Sequence, residues 1–132
     1  MESNNAQTLA GRVALITGAN TGIGLVTARE LAARGAHVFI ACRSLKRAQR
    51  AIDEIREAAE NPKVTFLELD LADLDSVRAC AAAFLAHDLP LHLLINNAGL
   101  AGAKGLTKSG FELAFGTNHL GPFLLTQLLL DR

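Results

Sequence analysis

Three clusters in this sequence combine residue types and spacings suited to capturing a phosphate-bearing ligand. The first is Thr17-Gly18-Ala19-Asn20-Thr21-Gly22-Ile23-Gly24, which leads straight from an apolar run into a helical pattern. In such a loop Gly18 permits a tight turn, Gly22 lets the main chain approach a pyrophosphate, and Gly24 lets the helix pack close on the strand. The helix start, with Asn20, Thr21 and Ile23 beside the glycines, supplies N–H donors and a partial positive charge. A Gly-rich turn alone is a weak signal. Here strand, glycines and helix agree, and dinucleotide binding is the expected role.

The second cluster is cationic. The second apolar run ends in Ala41-Cys42-Arg43-Ser44, with no acid where a carboxylate would hold the ribose hydroxyls of NAD. The next helix opens with Lys46, Arg47 and Arg50 and turns acidic only at Asp53, Glu54, Glu57 and Glu60. That order opposes the helix dipole, which favours acids in the first turn by a few tenths to ~1 kcal/mol each. A 2′-phosphate held by Arg43, with Lys46 or Arg47 assisting, would compensate, and this favours NADP(H) over NAD(H). The alternative is a solvated basic patch steadied by pairs such as Arg50 with Glu54.

The third cluster is amide-rich: Asn96-Asn97-Ala98-Gly99 after the fourth apolar run, and Asn118 four residues before Pro122. The asparagine pair could support a cofactor crevice or simply close the strand in a turn. Pro122 lacks the N–H that would bond the carbonyl of Asn118, so a helix here must bend and leave that carbonyl free. A kink with no further role is the alternative.

The elements that would position these clusters follow from the apolar pattern. Runs at 13–16, 37–41, 64–69 and 91–95 are nearly continuous in Val, Ile, Leu and Phe, as in parallel strands covered on both faces. Between them Ile23, Val26 and Leu31 mark a first helix ended by Gly35. Leu45, Ala48, Ile52, Ile55 and Ala59 mark a second, with Ser44 as N-cap. Leu74, Val77, Ala81, Phe84 and Leu85 mark a third, capped by Asp73. A fourth is expected from Ser109, in a capping box with Glu112, towards Arg132. Strand alternating with helix four times predicts an α/β, Rossmann-type doubly wound parallel sheet of strand order 3-2-1-4, with its ligand crevice at the switch point between the first and fourth strands. Residues 1–10 read as an N-terminal extension and 11–132 as one dinucleotide-binding domain.

These motifs resemble the short-chain dehydrogenase/reductase family, whose cofactor loop runs T-G-x-x-x-G-x-G. The resemblance extends from Gly11 to Arg132 and is closest in wording to the retinol-dehydrogenase-like branch, through Gly-Ala-Asn-Thr-Gly-Ile-Gly and Ala-Cys-Arg-Ser. It implies an oxidoreductase that interconverts an alcohol and a carbonyl. It assigns Asn97, Ala98 and Gly99 to the floor beneath the nicotinamide ribose, and Asp70, with Leu71 beside it, to the adenine. Asn118 matches the family's catalytic Asn, which presents its main-chain carbonyl to a water in a proton relay. The family's Tyr-x-x-x-Lys pair and its serine lie beyond the fourth helix. This chain contains no tyrosine, and Ser3, Ser44, Ser76 and Ser109 all lie outside the matching segment. The 132 residues are therefore expected to be a truncated portion, inactive alone. A non-catalytic nucleotide-binding module and an oligomerisation module are the alternatives.

Composition narrows the rest. Thirteen basic and 13 acidic residues give zero formal charge, which disfavours nucleic acid as a partner. The first ten residues lack the basic start and apolar stretch of a signal peptide, and no apolar run reaches the roughly 18 residues of a membrane span. Two cysteines without a leader suggest a reducing, cytoplasmic setting, and the four histidines lack metal-ligand spacing and read as spectators. A small-molecule alcohol or carbonyl substrate and a possible homo-oligomer complete the expectation.

Overall fold

The computed structural model describes residues 8–60 and 62–132; residues 1–7 of the expected N-terminal extension lie outside them. Four strands, β1 (Val13–Thr17), β2 (His37–Cys42), β3 (Lys63–Glu68) and β4 (Leu93–Ile95), form one parallel sheet of order β3-β2-β1-β4. Helices α1 (Gly22–Ala33), α2 (Leu45–Glu57) and α3 (Leu74–Leu85) connect them. A short α4 (Leu113–Phe115) runs through a π-turn (Gly116–Leu120) into α5 (Gly121–Leu129). Leu9 donates its N–H to the Arg34 carbonyl at 2.8 Å and packs on the core.

Alternation along the strands explains their continuous apolar runs. Val13, Leu15, Phe39 and Ala41 face α3 and α5, whereas Ile16, Val38, Ile40 and Cys42 face α1 and α2. Both faces are covered, so neither can be polar. Phe39 is the centre of the first layer, its ring 4.9 Å from Phe84, 5.0 Å from the His87 ring and 4.4 Å from the His37 ring.

Helix starts and stops follow the expected chemistry at three of four sites. The Ser44 hydroxyl accepts the Arg47 N–H, the Asp73 carboxylate accepts the Asp75 N–H, and Gly35 ends α1 at φ 98°. The fourth site differs. Ser109 does not cap; Glu112 itself does, its two carboxylate oxygens accepting the N–H groups of Ala114 and Phe115 at 3.0 and 2.8 Å. Those bonds hold its carboxyl below the usual carboxylate range. Residues 107–111 form a turn instead, in which the Thr107 hydroxyl accepts the Phe111 N–H.

The buried stripe of α1 also differs from expectation. Ile23 and Val26 are exposed, and Gly24, Ala28 and Ala32 face the sheet. The helix lies so near β1 that only small residues fit between. Strand β4 is shorter than its apolar run because the His92 side chain takes a ladder position: its Nδ1 accepts the Val13 N–H at 2.9 Å. That histidine is structural rather than a spectator. Among the described residues β4 pairs only with β1, at the edge of the sheet, and its Leu93 is exposed.

At the same N-terminal end of the strands, His37 Nε2 lies 2.9 Å from the Thr65 hydroxyl, and burial, then the nearby His87 and Lys63, hold its pKa below the ordinary 6.5. The unfolded chain takes up this proton first, so the contribution is fully present above about pH 6.5 and is lost as pH falls below that. Urea midpoints compared at pH 8 and pH 5 should therefore fall on acidification, and the fall should shrink in His37→Gln.

Candidate cofactor site

An open cleft of about 680 Å³ lies along the C-terminal ends of the strands. It lies where β1 and β4 adjoin, the position at which chain order in the sheet switches. Gly18, Asn20 and Thr21 supply one part of its wall, Arg43 and Arg47 another, and Asp70, Leu71, Asn97, Ala98 and Gly99 the rest of its expected residues. Gly22, Ile23, Gly24, Lys46 and Asn118 are not in the wall.

The loop after β1 is shaped by its glycines. Gly18 and Gly22 sit at φ 66° and 60°, a region that side chains rarely adopt. Gly24 stands behind the loop, where a methyl group would meet Gly18 O at 2.6 Å and Asn97 Nδ2 at 2.5 Å. Helix α1 begins here with no side-chain cap from Thr21 and no acid in its first turn. Its leading N–H groups and positive dipole end are thus not answered by a side chain, as an anion-binding helix start requires.

The second wall is cationic. Arg43 and Arg47 are exposed and, like Lys46, form no ion pair among the described residues. Arg43 precedes the N-cap Ser44 and Arg47 lies in the first turn of α2; both line the cleft, and Lys46 does not. Arg50 pairs with Glu54 at 3.6 Å, so the neutralised patch exists but stops short of the cleft. Cys42 also lines the cleft, and burial raises its thiol pKa, keeping it protonated.

The remaining wall is held by a network centred on Thr17. Its buried hydroxyl accepts the N–H groups of Asn97 and Ala98 at 3.1 and 3.0 Å. The Asn97 amide donates back to Thr17 O and Gly18 O at 3.1 and 3.3 Å. Asn97 therefore staples the two loops of the crevice, a supporting role. Asn96 turns away and donates to the Thr126 hydroxyl on α5. Asp70 accepts the Ala72 N–H through one carboxylate oxygen at 3.0 Å, leaving the other uncommitted, while its own N–H donates to Ser76.

Asn118 sits in the π-turn with both ends of its side-chain amide bonded to Leu100. Its Oδ1 accepts the Leu100 N–H at 2.8 Å and its Nδ2 donates to the Leu100 carbonyl at 2.7 Å. The bend expected at Pro122 is real and takes the form of this π-turn, closed by the Gly121 N–H on Gly116 O. Two close approaches fix it: a methyl on Gly116 would collide with Thr107 Cγ2, and one on Gly121 with the Leu71 carbonyl. Sequence reasoning missed Gly116, as well as Leu100 and Leu113 in the cleft wall, and gave Gly121 and Thr117, which flank Asn118 in its motif, no role. The repeated Gly at positions 116 and 121 was the available signal.

The profile of the short chain dehydrogenase family matches residues 12–132. The chain belongs to that family. It is 55% identical over 123 residues to mouse (Mus musculus) retinol dehydrogenase 12, covering 92% of this chain and 39% of that protein. Among solved structures it superposes with a TM-score of 0.82 on an uncharacterised protein from Mycobacterium paratuberculosis, at 46% identity over 98% of this chain and 46% of that one. A metagenomic short-chain oxidoreductase solved in complex with NADP matches with a TM-score of 0.80 at 29% identity, over 93% of this chain and 57% of that one. The chain thus spans about two fifths of its mouse relative. It is an oxidoreductase-family, retinol-dehydrogenase-like Rossmann sheet, and the family acts on small molecules with nicotinamide cofactors. No helix among the described residues is long and apolar enough to cross a membrane.

Proposed function

We propose that this chain is the cofactor-holding portion of an NADP(H)-dependent oxidoreductase that interconverts an alcohol and a carbonyl. The observation that carries this reading is one cleft walled both by the loop that leads into the uncapped start of α1 and by two arginines that form no ion pair among the described residues. The amides opening α1 would hold the pyrophosphate. Arg43 and Arg47 would hold the 2′-phosphate, and the free oxygen of Asp70 would accept from the adenine amine. When bound, the nicotinamide gives or takes the hydride. Because the side chain of Asn118 is committed to Leu100, any part it plays in moving a proton falls to its main-chain carbonyl, whose helical donor would have been Pro122. Support for the alcohol–carbonyl class comes from relatives that carry retinol, an alcohol, in their name. Support for NADP comes from the neighbour solved with it.

The test is the ratio of affinities. Arg43→Ala should weaken NADPH by about tenfold to a hundredfold, the loss expected for a charge-assisted bond, while NADH changes by less than about threefold. An unchanged NADPH/NADH ratio in both Arg43→Ala and the double variant with Arg47→Ala contradicts the 2′-phosphate assignment.

A second reading is nucleotide binding without turnover. A Tyr-x-x-x-Lys element further along the parent reading frame would decide for the enzyme. For self-association, the surface we favour is the exposed ladder of Phe115, His119 and Phe123, whose rings stack at 5.2 and 6.3 Å.

A further inference from the structure

The π-turn places one polar atom where nothing in the fold answers it. Thr117 lines the cleft together with Leu113, Gly99 and Leu100. Its hydroxyl oxygen is shut off from solvent and has no hydrogen-bond partner, alone in this among buried side-chain nitrogens and oxygens of the described residues. Threonines elsewhere in these helices behave differently. Thr27 donates to the Ile23 carbonyl and Thr126 to the Pro122 carbonyl, each four residues back and each at 2.8 Å. That back-bond is the usual outlet for a helical hydroxyl. Thr117 lies where α4 widens into the π-turn and makes no such bond. Buried hydroxyls without partners are rare in native proteins and call for a reason.

Leu100 and Leu113 offer no polar side-chain atom on this part of the wall, and Asn118 is tied to Leu100. We propose that Thr117 is a further ligand-contacting residue of the cleft, its hydroxyl bonding the bound dinucleotide directly or through one water. This rests on the nucleotide-binding reading above. A 120° rotation about χ1 carries the hydroxyl to the position of the methyl and the methyl to that of the β-hydrogen, and helical threonine populates two χ1 rotamers. The hydroxyl thereby reaches the surface that the residue already lines. The π-turn, held by Gly116 on Thr107 and Gly121 on Leu71, keeps Thr117 in the wall.

The experiment compares Thr117→Val, which keeps the shape and removes the hydroxyl, with Thr117→Ser, which keeps the hydroxyl. Melting temperature without ligand and NADPH affinity by calorimetry are measured on the full 132-residue chain. With no internal bond to lose, Thr117→Val should melt at or a few degrees above the parent, up to ~3 °C. Its NADPH affinity should fall about 3- to 10-fold, and Thr117→Ser should stay within about twofold of the parent. A valine variant that binds like the parent overturns the proposal and leaves the nucleotide site standing. So does a valine variant that melts lower, since the hydroxyl then has an internal role, or a serine variant that binds as weakly as valine. A parent chain that binds no NADPH removes the nucleotide reading and this proposal together.

Discussion

An alanine at position 24 is expected to disrupt the nucleotide cradle from behind and to lose dinucleotide binding altogether. The added methyl would lie 2.6 Å from the Gly18 carbonyl oxygen and 3.0 Å from Ala19 Cα, backbone atoms that cannot swing aside. It would also lie 2.5 Å from Asn97 Nδ2, the atom that bonds both Thr17 O and Gly18 O. Relief therefore requires moving α1 off the strand or breaking the staple between the two crevice loops. Overpacking alone costs about 1–3 kcal/mol, and each lost hydrogen bond adds about 1 kcal/mol, so a total of at least about 3 kcal/mol is expected. Urea denaturation and an NADPH titration of Gly24→Ala check this. A parent-like midpoint with parent-like binding would show that the loop and helix are not pressed together as described.

The largest effect on stability is expected from Phe39→Ala. The ring is fully buried in the middle strand of the α3 and α5 face and meets Phe84 edge-on and His37 in a stack. Its removal leaves a cavity that the flanking strands β1 and β3 cannot collapse without breaking register. Phe-to-Ala changes in such cores cost about 3–5 kcal/mol, a large share of the roughly 5–15 kcal/mol that holds a domain together. The urea midpoint should drop by about 2 M. A drop below about 0.5 M would mean that this ring is not the packing centre of the α3 and α5 face.

Much of this architecture was legible in the residues. Continuous apolar runs named the strands because both faces are covered, and the caps at Ser44, Asp73 and Gly35 are local chemistry that needs no tertiary context. What escaped was set by contact between distant segments. The stripe of α1 was misread through Ile23 and Val26 because periodicity rewards large residues, whereas a helix pressed on a strand buries glycine and alanine. His92 shortened β4 by standing in for a backbone acceptor, a role no local pattern announces. Glu112 took the cap expected of Ser109 because Thr107 had already claimed the turn.

In the site, Arg43 and the glycine loop were named from composition and spacing alone. Arg47 rather than Lys46 lines the cleft, a choice made by the helical rotation of α2. The roles of Gly116 and Gly121 were missed because they lie in neighbours, Thr107 and Leu71, that are remote from an isolated helix pattern.

The central claim is that the amides opening α1, with the arginines across the cleft, hold a phosphorylated nicotinamide dinucleotide. Its most direct test is the melting temperature of the folded 132-residue chain against increasing NADPH and NADH. A ligand that binds only the folded state at a hundred times its dissociation constant adds about 2.7 kcal/mol. The melting temperature should rise by several degrees with the logarithm of NADPH concentration, and by less for NADH at equal concentration. A cooperatively melting sample that millimolar NADPH and NADH both leave unmoved would contradict it.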